Sequence, residues 1–122
     1  MKVESFRDLI VWQKAMELVT LVYRVSADFP PSEQFALTNQ IRRAAVSIPS
    51  NIAEGYGRRS RADYIRFLRI ASGSLYEMQT QIEIARNLAF TESQHTSEID
   101  SISTEIERML ASLINKLETK QN

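Results

Sequence analysis

The chain has 122 residues, no cysteine, one histidine, and fifteen basic side chains against fifteen acidic ones. That length suits a single domain, residues 1–122, which buries roughly two-thirds of its unfolded surface and holds together without covalent staples. The missing cysteines exclude disulfides and thiolate metal sites and fit a reducing cytoplasm, where the protein is expected.

Ser5, with Asp8 three residues later, reads as a capping box that opens a first helix running to about Asp28. Leu9, Trp12, Met16, Val19 and Tyr23 recur along it at steps of three and four. A second apolar stripe, Val11, Ala15, Leu18, Val22 and Val25, runs beside the first. A helix apolar over so much of its circumference needs more than one covering surface, and the second stripe is the expected oligomer interface. Gln13, Lys14, Glu17, Thr20 and Arg24 interrupt this stretch, so neither a membrane span nor a secretory leader is expected.

Pro30 and Pro31 end the first helix, and Ser32 is placed to cap a second. That helix turns Leu37, Ile41, Ala44, Ile48 and Ile52 inward before Gly55 and Gly57 stop it. Pro49 lies inside it, removes one backbone hydrogen bond and crowds the carbonyl of Ala45, which predicts a kink there rather than a break. Ser60 and Asp63 form another box, opening the longest helix over about 61–88 with the seam Tyr64, Leu68, Ala71, Leu75, Met78, Ile82 and Ala85. Thr91 is placed to cap the last helix, whose seam is Ile99, Ile102, Ile106, Met109, Leu113 and Leu117. No segment alternates with period two, so no strand is expected. Short connections between four amphipathic helices imply an all-α, antiparallel up-down-up-down four-helix bundle with crossings of roughly 20°.

Little in the sequence suggests catalysis. His95 has neither cysteines nor a second histidine to form a zinc site, and no partner base for a triad. Gly55-Tyr56-Gly57 lacks the Lys-Ser/Thr ending and the preceding strand of a phosphate loop. Glu54 and Glu77 form a conceivable carboxylate pair, but Arg43 and Arg69 are their expected ion-pair partners. No enzyme activity, metal, cofactor or small-molecule substrate is therefore expected.

Charge is unevenly spread along the chain. Over residues 40–70 the only basic residues are seven arginines, Arg42, Arg43, Arg58, Arg59, Arg61, Arg66 and Arg69, set against Glu54 and Asp63. From residue 91 onward, six acidic side chains face three basic ones. Arginine presents a planar fork that matches carboxylate and phosphate, which makes these seven the candidate nucleic-acid-binding residues. On the second helix Arg43, Ser47, Ser50 and Glu54 form a polar line flanked by Asn51 and Arg58. Part of that line is available to satisfy carbonyls freed by Pro49. Ser47, Asn51, Glu54 and Glu77 are the candidate polar network joining the second helix to the third or to another subunit.

Three blocks carry a family resemblance. They are residues 8–15 (DLIVWQKA), residues 40–55 (QIRRAAVSIPSNIAEG), and residues 64–71 (YIRFLRIA) followed by Ser74 and Glu77. Together they resemble a bacterial four-helix-bundle family encoded in intervening sequences of large-subunit ribosomal RNA genes, over roughly residues 5–90. Arg108, Met109, Leu110 and Leu113 resemble the family's last helix loosely. The resemblance implies a homo-oligomer, pentameric in known relatives. It also extends to the basic accessory protein of diversity-generating retroelements, which engages nucleic acid and a reverse transcriptase. Ala36 stands where a glycine is usual, and Ser72 where a basic residue often precedes Gly-Ser. The second departure removes a positive charge from the third helix.

Two functional readings follow. One is a ring that binds structured RNA, or a nucleic-acid-processing protein, with contacts to the phosphate backbone rather than to bases. The other is a protein-interaction scaffold whose arginines pair with the acidic tail of a neighbouring subunit, with no nucleic acid.

Overall fold

The capping box at Ser5 forms, but it closes a single 3-10 turn, Phe6–Asp8. Leu9 then leaves helical geometry at φ −72° and ψ 123°, and α1 (Ile10–Ser26) starts afresh. Ser32 does not cap the next helix either. Pro31–Glu33 makes another 3-10 turn, and the Glu33 carboxylate accepts the Leu37 N–H at 3.2 Å to open α2 (Leu37–Tyr56). The computed structural model describes residues 2–119 and is completed by α3 (Arg61–Asn87) and α4 (Ser93–Thr119).

The second helix runs through Pro49 without a break. Ser50 Oγ donates to the Val46 carbonyl at 2.8 Å, and Asn51 Nδ2 to that of Ser47 at 2.8 Å, so side chains reinforce the turn around the proline. Gly55 is not the stop signal expected. It lies buried inside α2, where a Cβ would stand 2.8 Å from Phe67 Cβ and 3.1 Å from Tyr64 Cδ1. Its missing side chain lets the last turn of α2 approach the start of α3, and Gly57 takes the cap position instead.

Ser60 caps α3 by accepting the Asp63 N–H at 3.1 Å. The far end of α3 closes in a Schellman motif. Phe90 N–H donates to the Ala85 carbonyl at 2.8 Å and Ala89 N–H to that of Arg86 at 3.0 Å, with Ala89 in the left-handed region at φ 60°. Phe90 then packs on Phe29, ring centroids 6.0 Å apart, pinning the α3–α4 connection to the end of α1.

Each helix packs on its neighbours in the chain, and α4 closes back on α1, while no Cα atoms of α1 and α3, or of α2 and α4, come within 8 Å. Short connections and this ring of neighbours give the antiparallel four-helix bundle. Leu18, Ile48, Leu68, Met78, Ile106 and Leu110 are among the fully buried side chains along its axis. None of the described helices is long and apolar enough to cross a membrane.

The second apolar stripe of α1 supplies this helix's side of the core instead of an outer interface. Val11, Ala15, Leu18 and Val22, expected at an oligomer interface, are buried in the core, and Val25 packs against it half-buried. The first stripe is divided: Leu9, Trp12 and Val19 pack half-buried against the core, while Met16 is 44% exposed and Tyr23 43%. A helix at the corner of a square bundle sends to the core the stripe that bisects its two neighbours. Periodicity measures the width of an apolar face but not the direction of that bisector.

Candidate functional site

The four-residue connection between α2 and α3, Gly57 to Ser60, and the first residue of α3 bring Arg58, Arg59 and Arg61 to one end of the bundle. All three arginines are exposed. Arg58 Nη2 meets Glu54 Oε2 at 2.6 Å, one helical turn back. Arg66 Nε lies 3.7 Å from Asp63 Oδ1. Both pairs are solvent-exposed, where such contacts are worth at most about 1 kcal/mol. The opposite end, where α1 stops, α2 starts and α3 passes to α4, carries Asp28, Glu33, Glu83, Glu92, Glu98 and Asp100 with Arg24, Arg42, Arg43 and Arg86. The bundle is thus electrically lopsided along its axis.

Behind the turn, Phe67 holds two of these arginines. The guanidinium carbon of Arg58 sits 4.7 Å from its ring centroid and that of Arg66 sits 4.5 Å away. Phe67 is only 8% exposed. Close by, the rings of Tyr56 and Tyr64 meet in a T-shaped pair, centroids 6.2 Å apart, and burial, reinforced by Tyr56, raises the pKa of the Tyr64 hydroxyl above its usual 10.0. Gly55 controls the spacing of this cluster, since any side chain there would strike Phe67 and Tyr64.

The other arginines are scattered. Arg42 is half-buried and occupied: its Nε donates to Ser26 Oγ at 2.8 Å, its Nη2 to the Tyr23 carbonyl at 3.3 Å, and its guanidinium stacks on Tyr23 at 4.5 Å. It serves as a cap on the last turn of α1. Arg43, exposed and with no ion pair among the described residues, lies fifteen residues before Arg58, roughly 22 Å along the helix. Arg69 pairs with Glu118 of α4 in the same chain, so neither Arg43 nor Arg69 meets Glu54 or Glu77.

The polar line of α2 also divides. Ser47 Oγ and Ser74 Oγ are 2.8 Å apart across the α2–α3 interface, and Asn51 Nδ2 donates to Ser47 Oγ at 2.9 Å. Glu54 instead turns to Arg58, and Glu77 accepts from Gln81 Nε2 at 3.4 Å on the surface of α3. The network is therefore Ser47, Asn51 and Ser74, a brace between helices. Ser74 lies in the third recognisable block, but only the tertiary contact reveals its partner. No sequence signal marks Phe67 as the platform for Arg58, nine residues away.

Two outer faces remain open. Between α1 and α2, a groove of 380 Å³ is lined by Trp12, Met16, Val19, Val46, Pro49 and Ala53. Phe35, 87% exposed, stands on the same side beside Tyr23 and Arg43. Between α3 and α4, a wider groove of 630 Å³ has Gly73 and Ala111 among its lining, with Arg69, Tyr76 and Arg108. Among the described residues, no cluster of histidine or carboxylate side chains could hold a metal ion.

A crystal structure of a protein of unknown function from the S23 ribosomal protein family, from Bacteroides thetaiotaomicron VPI-5482, is similar to this chain. It superposes with a TM-score of 0.77 at 29% sequence identity, covering 86% of this chain and 98% of that one. No curated protein matches significantly. The family model of 23S rRNA-intervening sequence proteins matches residues 7–112, which take in all three recognisable blocks and most of α4. The chain belongs to the 23S rRNA-intervening sequence protein family.

Proposed function

We propose that the protein is a non-enzymatic homo-oligomer that binds structured RNA through phosphate contacts at its arginine-rich end. The observation that carries this reading is the concentration of Arg58, Arg59, Arg61 and Arg66 around one turn, with Asp28, Glu33, Glu92, Glu98 and Asp100 at the other end. Local charge, rather than the net charge of zero, governs encounter with a polyanion. Exposed ion pairs to Glu54 and Asp63 are weak enough for phosphate to displace. Nothing in the turn offers a rigid reader of base edges, so the binding is backbone-directed and steeply dependent on salt.

Self-association is assigned to the outer face of α1 and α2, where Met16, Val46 and Phe35 leave an apolar surface uncovered. A ring would repeat the arginine turn around its axis and multiply a weak single contact. The same apolar face favours a second reading, a protein-interaction scaffold that binds no nucleic acid. That reading loses part of its support because Arg69 already pairs with Glu118 inside the chain.

Light scattering behind a sizing column, with and without bulk bacterial RNA at low and moderate salt, tests both parts. A multimer that retains RNA at low salt and releases it as salt rises is expected. Replacing Arg58, Arg59 and Arg61 by alanine should abolish retention and leave the multimer intact. Loss of the multimer in that variant would instead support the scaffold, and a wild-type multimer that ignores RNA at low salt would sink the RNA reading. Met16→Glu with Val46→Glu should yield a folded monomer; an unchanged mass would overturn the assigned interface.

A further inference from the structure

The geometry points to a preformed phosphate clamp, made by Arg58 and Arg66 on the shared platform of Phe67, as the specific anion site within the arginine-rich end. For its natural ligand, a backbone phosphodiester, it rests on the RNA reading above.

The exposed arginines of this region are not equivalent. Arg59 stands in the connection with no ion pair or ring contact among the described residues. Such a side chain samples many rotamers and loses that freedom on meeting a ligand. Arg58 and Arg66 have already lost part of theirs, because each guanidinium lies against the same ring. Their distances to one centroid hold the two guanidinium carbons within roughly 9 Å of each other. That span suits one phosphate held between two forks, or two successive phosphates of a strand. Stacking leaves the guanidinium edges, where the N–H donors lie, free to point away from the ring.

The platform itself is fixed. Phe67 is almost wholly covered, and its Cβ lies against the position where Gly55 lacks a side chain. The two arginines come from different elements, Arg58 from the connection after α2 and Arg66 from the second turn of α3, so only the docked α2–α3 pair brings them together. Each carries one carboxylate, Glu54 at 2.6 Å and Asp63 at 3.7 Å, both on exposed side chains. Glu54 occupies an Arg58 donor in the absence of ligand, whereas Asp63 lies near Arg66 beyond hydrogen-bond distance and offers only charge attraction. A phosphate offers more acceptor oxygens in the same geometry and displaces them.

The test uses the full chain and inorganic phosphate as probe, followed by NMR through the arginine Nε–H signals. The Arg58 and Arg66 signals should shift together and saturate, while that of Arg59 moves little. Phe67→Leu keeps every charge and an apolar core residue; it should remain folded and lose the saturable shift. Glu54→Gln removes a competitor and should tighten phosphate binding several-fold. Uniform, unsaturable shifts of all arginines, or a Phe67→Leu variant that is folded and binds as the wild type does, would overturn the clamp.

RNA separates the clamp from the broader reading. By fluorescence anisotropy with a labelled RNA hairpin at low salt, the pair Arg58→Lys and Arg66→Lys should weaken binding about tenfold at unchanged charge, and Arg59→Lys should not. Equal binding by all lysine variants would overturn the clamp and leave the RNA reading standing. Saturable phosphate shifts without any RNA binding would retain the clamp as a phosphate site and sink the RNA reading.

Discussion

Arg86 of α3 donates through Nη2 to Asp100 of α4 at 2.6 Å, and through the same nitrogen to Thr96 Oγ1 at 2.7 Å. Its Nη1 reaches Glu83 at 2.7 Å, and the arginine side chain is only 16% exposed while Asp100 is largely in solvent. The hydrogen bond to Asp100 is the main influence raising the Arg86 pKa, so the guanidinium stays charged at every accessible pH. One half-buried cation therefore ties the end of α3 to the first turns of α4. Arg86→Ala should cost about 2 kcal/mol, since Thr96 keeps only its bond to the Ser93 carbonyl. Asp100→Asn should cost well under half as much because that partner is exposed. Urea unfolding of both variants checks the ranking, and equal losses would contradict it.

The glycines of α2 and α3 should respond with opposite signs. A Cβ at Gly73 meets nothing within 4 Å, so Gly73→Ala should stabilise the helix by roughly 1 kcal/mol through propensity alone. Gly55→Ala gains the same propensity but drives a methyl to 2.8 Å from Phe67 Cβ, forcing α2 and α3 apart at a cost of roughly 1–3 kcal/mol. Thermal melts should move up for the first variant and down for the second.

Ala89 adopts φ 60° at the Schellman position where glycine is the usual residue. The left-handed conformation costs an L-residue about 1–2 kcal/mol. Ala89→Gly should recover about 1 kcal/mol after the added entropy of the unfolded chain, raising Tm by about 4 °C. A melt that is unchanged or lower would mean that the strain is relieved some other way.

The Tyr64 hydroxyl has a folded pKa above the 10.0 of an exposed tyrosine, chiefly through burial and secondarily through Tyr56. The folded state therefore holds this proton more tightly than the unfolded chain does. Stability should be flat with respect to Tyr64 below pH 10 and fall as pH rises from there through the folded pKa. In Tyr64→Phe that alkaline loss should be smaller, a difference visible in denaturant midpoints across pH 9 to 11.

Much of the helical order was legible in the chain because amphipathic period and capping chemistry are local. Ser60 capped α3 as its sequence suggested, and the seam from Leu68 through Ala85 is buried throughout. Short connections then left few ways to close four helices. Local signals misled where two local structures shared one signature: the box at Ser5 closed a 3-10 turn, and Gly55 served a helix contact rather than a helix end. The direction of the α1 stripes, the diversion of Glu54 from Arg43 to Arg58, and the stacking of Arg58 and Arg66 on Phe67 were settled only by the docked bundle. Spacing along a helix states which residues share a face; which neighbour that face meets depends on how all four helices together exclude water from the core.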